Sequence, residues 1–175
     1  MSAPDMSTCV APQRRQLLGL RRKPGRLALA LFRMPLRAYR HDAGWLLGHT
    51  FIEFTHLGRN TRQPHETVAM VLRYDEGTRE AVICAAWGPQ TDWFRNRRAG
   101  PAAQVRLGRD RCLPQHRFLT VGEALDVAVC FRPDHLHRLY LLQSVLGWDD
   151  LDDDTALRQF VVAHPMIAFR PKPAS

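Results

Sequence analysis

No apolar run in this chain approaches the roughly 18 residues of a membrane-spanning helix. The candidate run Leu27–Phe32 (LALALF) is far too short. Lysine is almost missing, with only Lys23 and Lys172 among the 25 basic residues, so positive charge rests on arginine. Cysteine is sparse and unpaired: Cys9, Cys84, Cys112 and Cys130 show no C-x-x-C and no regular spacing with histidine. That argues against a disulfide framework or a zinc site and points to a reducing, cytoplasmic compartment. Cys84 and Cys130 lie in apolar runs, where each is expected as a small buried hydrophobe.

The familiar catalytic signatures are missing too. There is no G-x-G-x-x-G, no Walker loop, no G-x-S-x-G and no H-E-x-x-H. His135 and His137 stand two apart in a helical pattern, so they face different directions and share no metal. The acidic run Asp149–Asp154 lacks the spacing of a calcium loop and reads as a solvated loop.

What remains is 175 residues, 45% of them hydrophobic, which suffices for one domain with a core. The formal charge of +8 is concentrated at one end. Residues 1–40 hold nine Arg and Lys against Asp5 alone, and the remainder balances at 16 basic and 16 acidic residues. A neutral body without a basic, aromatic-interleaved stripe argues against nucleic acid as a partner. The first division is therefore a basic N-terminal arm and helix, 1–40, and the second a domain spanning 41–175. In the arm, Arg21, Arg22 and Lys23 interrupt the apolar segment and no small-x-small cleavage site follows, so it does not read as a secretory signal. Gly25 to Phe32 is expected as a helix ending near Met34, ahead of Pro35. The two readings of residues 1–40 are a disordered arm plus a helix packed on the domain, and a basic interfacial segment drawn peripherally to anionic lipid.

From Trp45 short strand-like runs alternate with turns. Strands are expected at Thr50–His56, Glu66–Tyr74 and Glu80–Ala86, with Leu57–Pro64 as a loop and Asp75–Thr78 as a hairpin turn. Ala102–Gly108 and Arg111–Leu119 flank another hairpin at Gly108–Asp110. Thr120 and Glu123 form a capping box opening a helix, Val121–Phe131, that Pro133 stops. His135–Gly147 follows as a second helix. Gln159–Phe169 is expected as a final strand placed at an edge or bulge by Pro165. Many strands, few helices and no βαβ repeat suggest a small antiparallel barrel.

Two stretches carry possible chemistry. Gly58–Thr67 (GRNTRQPHET) offers Arg59, Arg62 and His65 with Asn60, Thr61 and Gln63, a donor set suited to an anionic oxygen cluster, or else a plain solvated loop. Cys84–Gly108 contains a short helix, Trp93–Ala99, capped by Asp92, whose N-terminus beside Gly88 would offer unpaired amides. Trp87 and Trp93 supply flat apolar faces and Arg95, Arg97 and Arg98 supply charge; the alternative is that both tryptophans are core. Together the stretches suit a flat, aromatic, phosphorylated ligand that brings its own chemistry.

His56–Leu72 (HLGRNTRQPHETVAMVL), Ala85–Asn96 (AAWGPQTDWFRN), Ala99–Gly108 (AGPAAQVRLG) and His164–Pro171 (HPMIAFRP) resemble the deazaflavin-dependent nitroreductase family. The likeness runs from about Trp45 to Pro171. It implies an α+β, mainly β, split β-barrel of antiparallel strands with flanking helices, and binding of coenzyme F420, an 8-hydroxy-5-deazaflavin. It also implies hydride transfer to a small acceptor: a quinone, a nitroaromatic or an activated alkene. By position, Arg59, Asn60, Thr61 and His65 would face the coenzyme's phosphate end, with Arg62 taking over charge there. Ala86, Trp87, Gly88, Trp93 and Phe94 would line the ring, and Asn96 would brace that wall. His65 is the candidate proton donor, and Met70 and Tyr140 the candidate substrate pocket. The chain departs from better-known members at Asn60, Arg62, His65 and Ala86-Trp87. The same barrel also suits FMN, haem or a fatty acid, and a homodimer.

Overall fold

Alternating apolar side chains dictate strands with two different faces, and the computed structural model bears this out over its described residues: 39, 44–100, 102–134 and 153–172. The arm helix, the helix at His135–Gly147, and Cys9, His135, His137 and Tyr140 lie outside them. After a single 3-10 turn, Gly44–Leu47, come β1 (Phe51–Leu57), β2 (Pro64–Asp75) and β3 (Glu80–Cys84). Helix α1 (Asp92–Ala99) precedes β4 (Gln104–Leu107), β5 (Asp110–Cys112) and β6 (Pro114–Phe118). Then follow α2 (Val121–Asp134), α3 (Asp154–Ala163) and β7 (Met166–Pro171).

All strand pairs are antiparallel, in the order β5-β4-β1-β2-β3-β7-β6. β2, 12 residues long, shifts register between Val71 and Arg73, and this bulge bends it from β1 toward β3. The two ends of the order meet in the chain itself, since only Leu113 separates β5 from β6. Its carbonyl accepts from Lys172 N–H at 3.0 Å, so the strand passes from β4 to β7 at that point. The result is a nearly closed split β-barrel with three flanking helices among the described residues.

The pleat sorts the core in two. Ile52, Phe54, Val71, Ala81, Ile83, Val105, Leu107, Ile167 and Phe169 fill the barrel. Their neighbours Leu72, Val82, Cys84, Met166 and Ala168 face outward, where α2 and α3 cover them with Val127, Phe131, Leu157, Phe160 and Val161. On the far side of β1, Glu53 and Arg106 form a buried ion pair at 3.2 Å, and the Tyr39 hydroxyl donates to Phe51 O.

Four expectations need correction. Gln159–Phe169 is not one strand: Gln159–Ala163 completes α3, and β7 begins only after Pro165. β7 is a central strand between β3 and β6, with Pro165 just outside it, so no edge is needed to tolerate the proline. The end of the acidic run is structural, because the Asp153 carboxylate accepts from the N–H groups of Thr155 and Ala156 and caps α3. Pro133 does not stop α2, which continues to Asp134; in a last turn the loss of one hydrogen bond is tolerated. Cys130 is exposed rather than buried, whereas Cys84 is enclosed and its thiol is pushed up to about 12 by burial.

Candidate functional site

The β1–β2 connection is a tight loop because it hydrogen-bonds to itself. Gly58 N–H donates to Gln63 O and Arg62 N–H to Gly58 O, both at 2.8 Å. A Cβ on Gly58 would sit 2.5 Å from Thr61 Oγ1, so any side chain there would have to displace the Thr61 hydroxyl. Arg62 adopts a left-handed φ of 58°, which holds its exposed side chain at the tip. Asn60 and Thr61 are exposed beside it, and among the described residues their amides donate to nothing. Loop amides next to guanidinium groups form an anion-binding concavity.

Helix α1 lies against this loop and packs on β1 and β6. Trp93 packs edge-on against Phe54 at 5.3 Å, and Phe94, buried, meets Phe118 at 5.4 Å. Asn96 Oδ1 accepts from the Arg59 N–H at 3.1 Å and from Arg59 Nη1 at 3.2 Å. Arg59 also forms an ion pair with Asp92 at 3.0 Å. On the other side of its amide, Asn96 Nδ2 reaches His56 Nδ1 at 3.1 Å, and His56 Nε2 lies 3.1 Å from Thr67 Oγ1. An Asn amide nitrogen only donates, so His56 Nδ1 accepts and its proton sits on Nε2.

This chain, Arg59–Asn96–His56–Thr67, ties β1, β2 and α1 together. His56 is 3% exposed. Burial first, then the charges of His65 and Arg97, lower its pKa to about 4, which keeps it neutral at physiological pH. His65, opposite His56 in the β1–β2 ladder, is exposed and stacks on it with centroids 5.7 Å apart.

Other candidates sit at different positions. Trp87 is 36% exposed, in the turn after β3. Gly88 has φ +81° and a Cβ there would lie 3.4 Å from Ala163 O, which seats the turn on the end of α3. Its amide is not free, since it donates to Ala85 O at 2.7 Å. Asp92 is not the cap of α1: Thr91 holds that position, its hydroxyl donates to Gly88 O, and the Asp92 carboxylate is engaged by Arg59. Ala86 is half-buried, and Met70 packs against the outer, helix-covered core. Arg97 does not join Arg95 and Arg98 on the surface; it is buried beneath α1 against His116.

The structure thus brings together Arg59, Asn60, Thr61, Arg62, His65 and Asn96. His56 and His116 were missed, and Arg97 was expected only as a source of charge, because strand register and helix docking alone join these side chains. Among the described residues no group of three His, Cys, Asp or Glu side chains could hold a metal, and no helix is long and apolar enough to cross a membrane.

No protein-family model and no curated protein matches the chain. Several solved structures are similar to the chain, three of them as follows. One, described as an F420-H2 dependent reductase (FDR-A), is 17% identical with a TM-score of 0.44, covering 71% of this chain and 96% of its own. Another, a domain-swapped dimer, is 14% identical with a TM-score of 0.47, covering 78% and 99%. The third, Campylobacter jejuni ChuZ, is 10% identical with a TM-score of 0.44, covering 78% of this chain and 54% of its own.

Proposed function

We propose that the chain is an oxidoreductase that uses reduced coenzyme F420 to reduce a quinone, a nitroaromatic or an activated alkene. The observation that carries this reading is the double hydrogen bond from Arg59 to Asn96 Oδ1. It fastens the loop with the free Asn60 and Thr61 amides to the helix that carries Trp93, so an anion receptor and an aromatic wall become one rigid surface. The donor set fits a phosphorylated ring coenzyme: exposed Arg62 and His65 and two loop amides at one end, exposed Trp87 and half-buried Trp93 toward the ring.

When bound, reduced deazaflavin supplies a hydride from its C5 carbon. The protein's own part is to position the donor against the acceptor and to exclude water. His65 is the candidate proton donor to the reduced acceptor. Phe94 is buried and braces Trp93. Met70, with Tyr140, remains the candidate acceptor side.

Titration with F420 against FMN tests the reading. F420 is expected to bind the wild type, and Arg59→Ala or Trp93→Ala to weaken binding at least tenfold. Binding of FMN alone would replace it with the flavin reading, and no binding of either would end both. In this reading the protein works in the cytoplasm as a homodimer, which sedimentation equilibrium checks. The basic first 40 residues give it a peripheral hold on anionic lipid, to be lost from liposomes on deleting residues 1–24.

A further inference from the structure

A cleft of about 420 Å³ opens over β6 and β7, with Glu80, Gln115, Arg117, Ala168, Arg170 and Lys172 among its lining residues. Strand register builds it. Ile167 and Phe169 point into the barrel, so Ala168 and Arg170 between and after them point outward. Ala168 stands between Val82 and Arg117, and its short side chain leaves a low floor. Arg170 stands beside Gln115, with Glu80 on its other side, one place beyond the Ala81–Phe169 pair. The cleft lies at the end of the strands that carries the Asp75–Glu80 hairpin, opposite the β1–β2 loop.

Arg117, Arg170 and Lys172 line the cleft against a single carboxylate, Glu80, and that carboxylate is already used. Glu80 Oε1 accepts from Arg117 Nη2 at 3.0 Å and Oε2 from Arg117 Nε at 3.4 Å. The other carboxylate nearby, Glu123, also accepts from Arg117. Arg117 thus takes both acids and is held as a fixed wall. Arg170 and Lys172, both exposed, have no acceptor among the described residues. The Lys172 N–H donates to Leu113 O at 3.0 Å, which anchors the strand end that presents its ammonium. A concave surface with uncompensated cations along one side concentrates positive potential within it.

We propose that this cleft binds a small molecule carrying two oxyanion groups, phosphate or carboxylate, one received by the Arg170 guanidinium and the other by the Lys172 ammonium. Residues two apart on a strand share a face and stand about 7 Å apart, a separation that two long side chains adapt to a diphosphate or a short dicarboxylate. The guanidinium offers paired N–H groups to two oxygens of one group, and the ammonium meets the other as a point charge. Gln115, exposed beside Arg170, adds an amide donor from β6. The cleft has the volume of a small-molecule pocket, commonly about 300–1,000 Å³. The site is independent of any ligand at the β1–β2 loop.

The test is a titration of the full chain with pyrophosphate and, separately, with succinate at constant ionic strength, followed residue by residue by amide NMR. The amides of Gln115, Arg170 and Lys172 are expected to shift and saturate with at least one probe. Saturation by pyrophosphate alone assigns the phosphate class, and by succinate alone the carboxylate class. The amides of Asn60 and Thr61 report on the β1–β2 loop, so the two sites succeed or fail separately. Arg170→Gln and Lys172→Gln are each expected to weaken binding at the cleft at least fivefold, whereas Arg98→Gln, at an exposed position on α1, leaves it unchanged. The spectra of the same variants show that they are folded. No saturable shift at the cleft with either probe, wild-type binding by Arg170→Gln, or an equal loss in Arg98→Gln would each overturn the proposal.

Discussion

Asn96 Oδ1 accepts hydrogen bonds from both the backbone and the side chain of Arg59, 37 residues earlier, and so joins α1 to the β1–β2 loop. Its other amide atom is spent on His56 Nδ1. One buried side chain therefore holds three elements in register.

Asn96→Ala should unlock them. It leaves the Arg59 amide and the His56 lone pair without their partner, at a cost of about 2 kcal/mol of stability. Coenzyme affinity should fall at least tenfold, because loop and helix no longer share one position. Urea unfolding and an F420 titration on the same protein measure the two effects. Unchanged affinity with lowered stability would make Asn96 a brace for the fold alone.

Arg62 separates stability from binding in the opposite sense. Its φ of 58° costs a residue with a Cβ about 1–2 kcal/mol, and glycine escapes that cost while losing about 0.5–1 kcal/mol of chain entropy. Arg62→Gly is thus expected to leave stability within about 1 kcal/mol of the wild type. Arg62→Ala, which keeps the strained geometry, should be the less stable of the two. Both should weaken F420 binding and flatten its salt dependence, because both remove the exposed cation at the loop tip. Denaturation midpoints and titrations at two salt concentrations distinguish the outcomes.

How much of this could be read beforehand follows from where the restraints act. β1 to β3 were legible because Ile52 and Phe54, and Ala81 and Ile83, alternate with outward residues between turns rich in Gly, Asn and Pro. The capping box was legible because Thr120 and Glu123 bond within one turn, the Thr120 N–H to Glu123 Oε2 at 2.8 Å. The run from Gln159 to Phe169 was not, since a continuous apolar segment suits a buried helix as well as a strand. The decisive clue was Asp153, whose capping role was hidden inside an acidic run. For the site, Arg59 and Asn96 stood out as polar residues around turns. His56 did not, and the burial of Arg97 was not foreseen, because their partners, Asn96 and His116, lie 40 and 19 residues away and meet them only when α1 packs on the barrel.

The capping box itself carries a measurable load. The Thr120 hydroxyl donates to Glu123, whose other oxygen takes Arg117, and Arg117 in turn holds Glu80. Thr120→Ala breaks the cap of α2 and should cost about 1 kcal/mol. Glu123→Ala removes the cap's return bond and one Arg117 contact, and should cost a similar amount. Both sites are exposed, so high salt should reduce the loss for Glu123→Ala more than for Thr120→Ala. Urea midpoints at low and high salt check this ordering.

His56 makes the barrel mouth sensitive to acid. Its folded pKa, near 4, lies below the 6.5 of an unperturbed imidazole, with burial as the main cause. As pH falls, the unfolded chain takes up its proton first, so stability is full above about 6.5 and drains away between 6.5 and 4. The loss amounts to about 2–3 kcal/mol. His116 and His164 are shifted in the same direction by burial, so their contributions add in this range and a bulk stability profile does not single out His56. Residue-assigned NMR titration does. The His56 ring should stay neutral to below pH 5 and show the Nε2–H tautomer imposed by Asn96. In Asn96→Ala it should lose that fixed tautomer and titrate closer to 6.5 as water enters. A His56 that titrates above pH 6 in the wild type would mean that the ring is not enclosed between Asn96 and Thr67, and the clamp joining loop and helix would have to be redrawn.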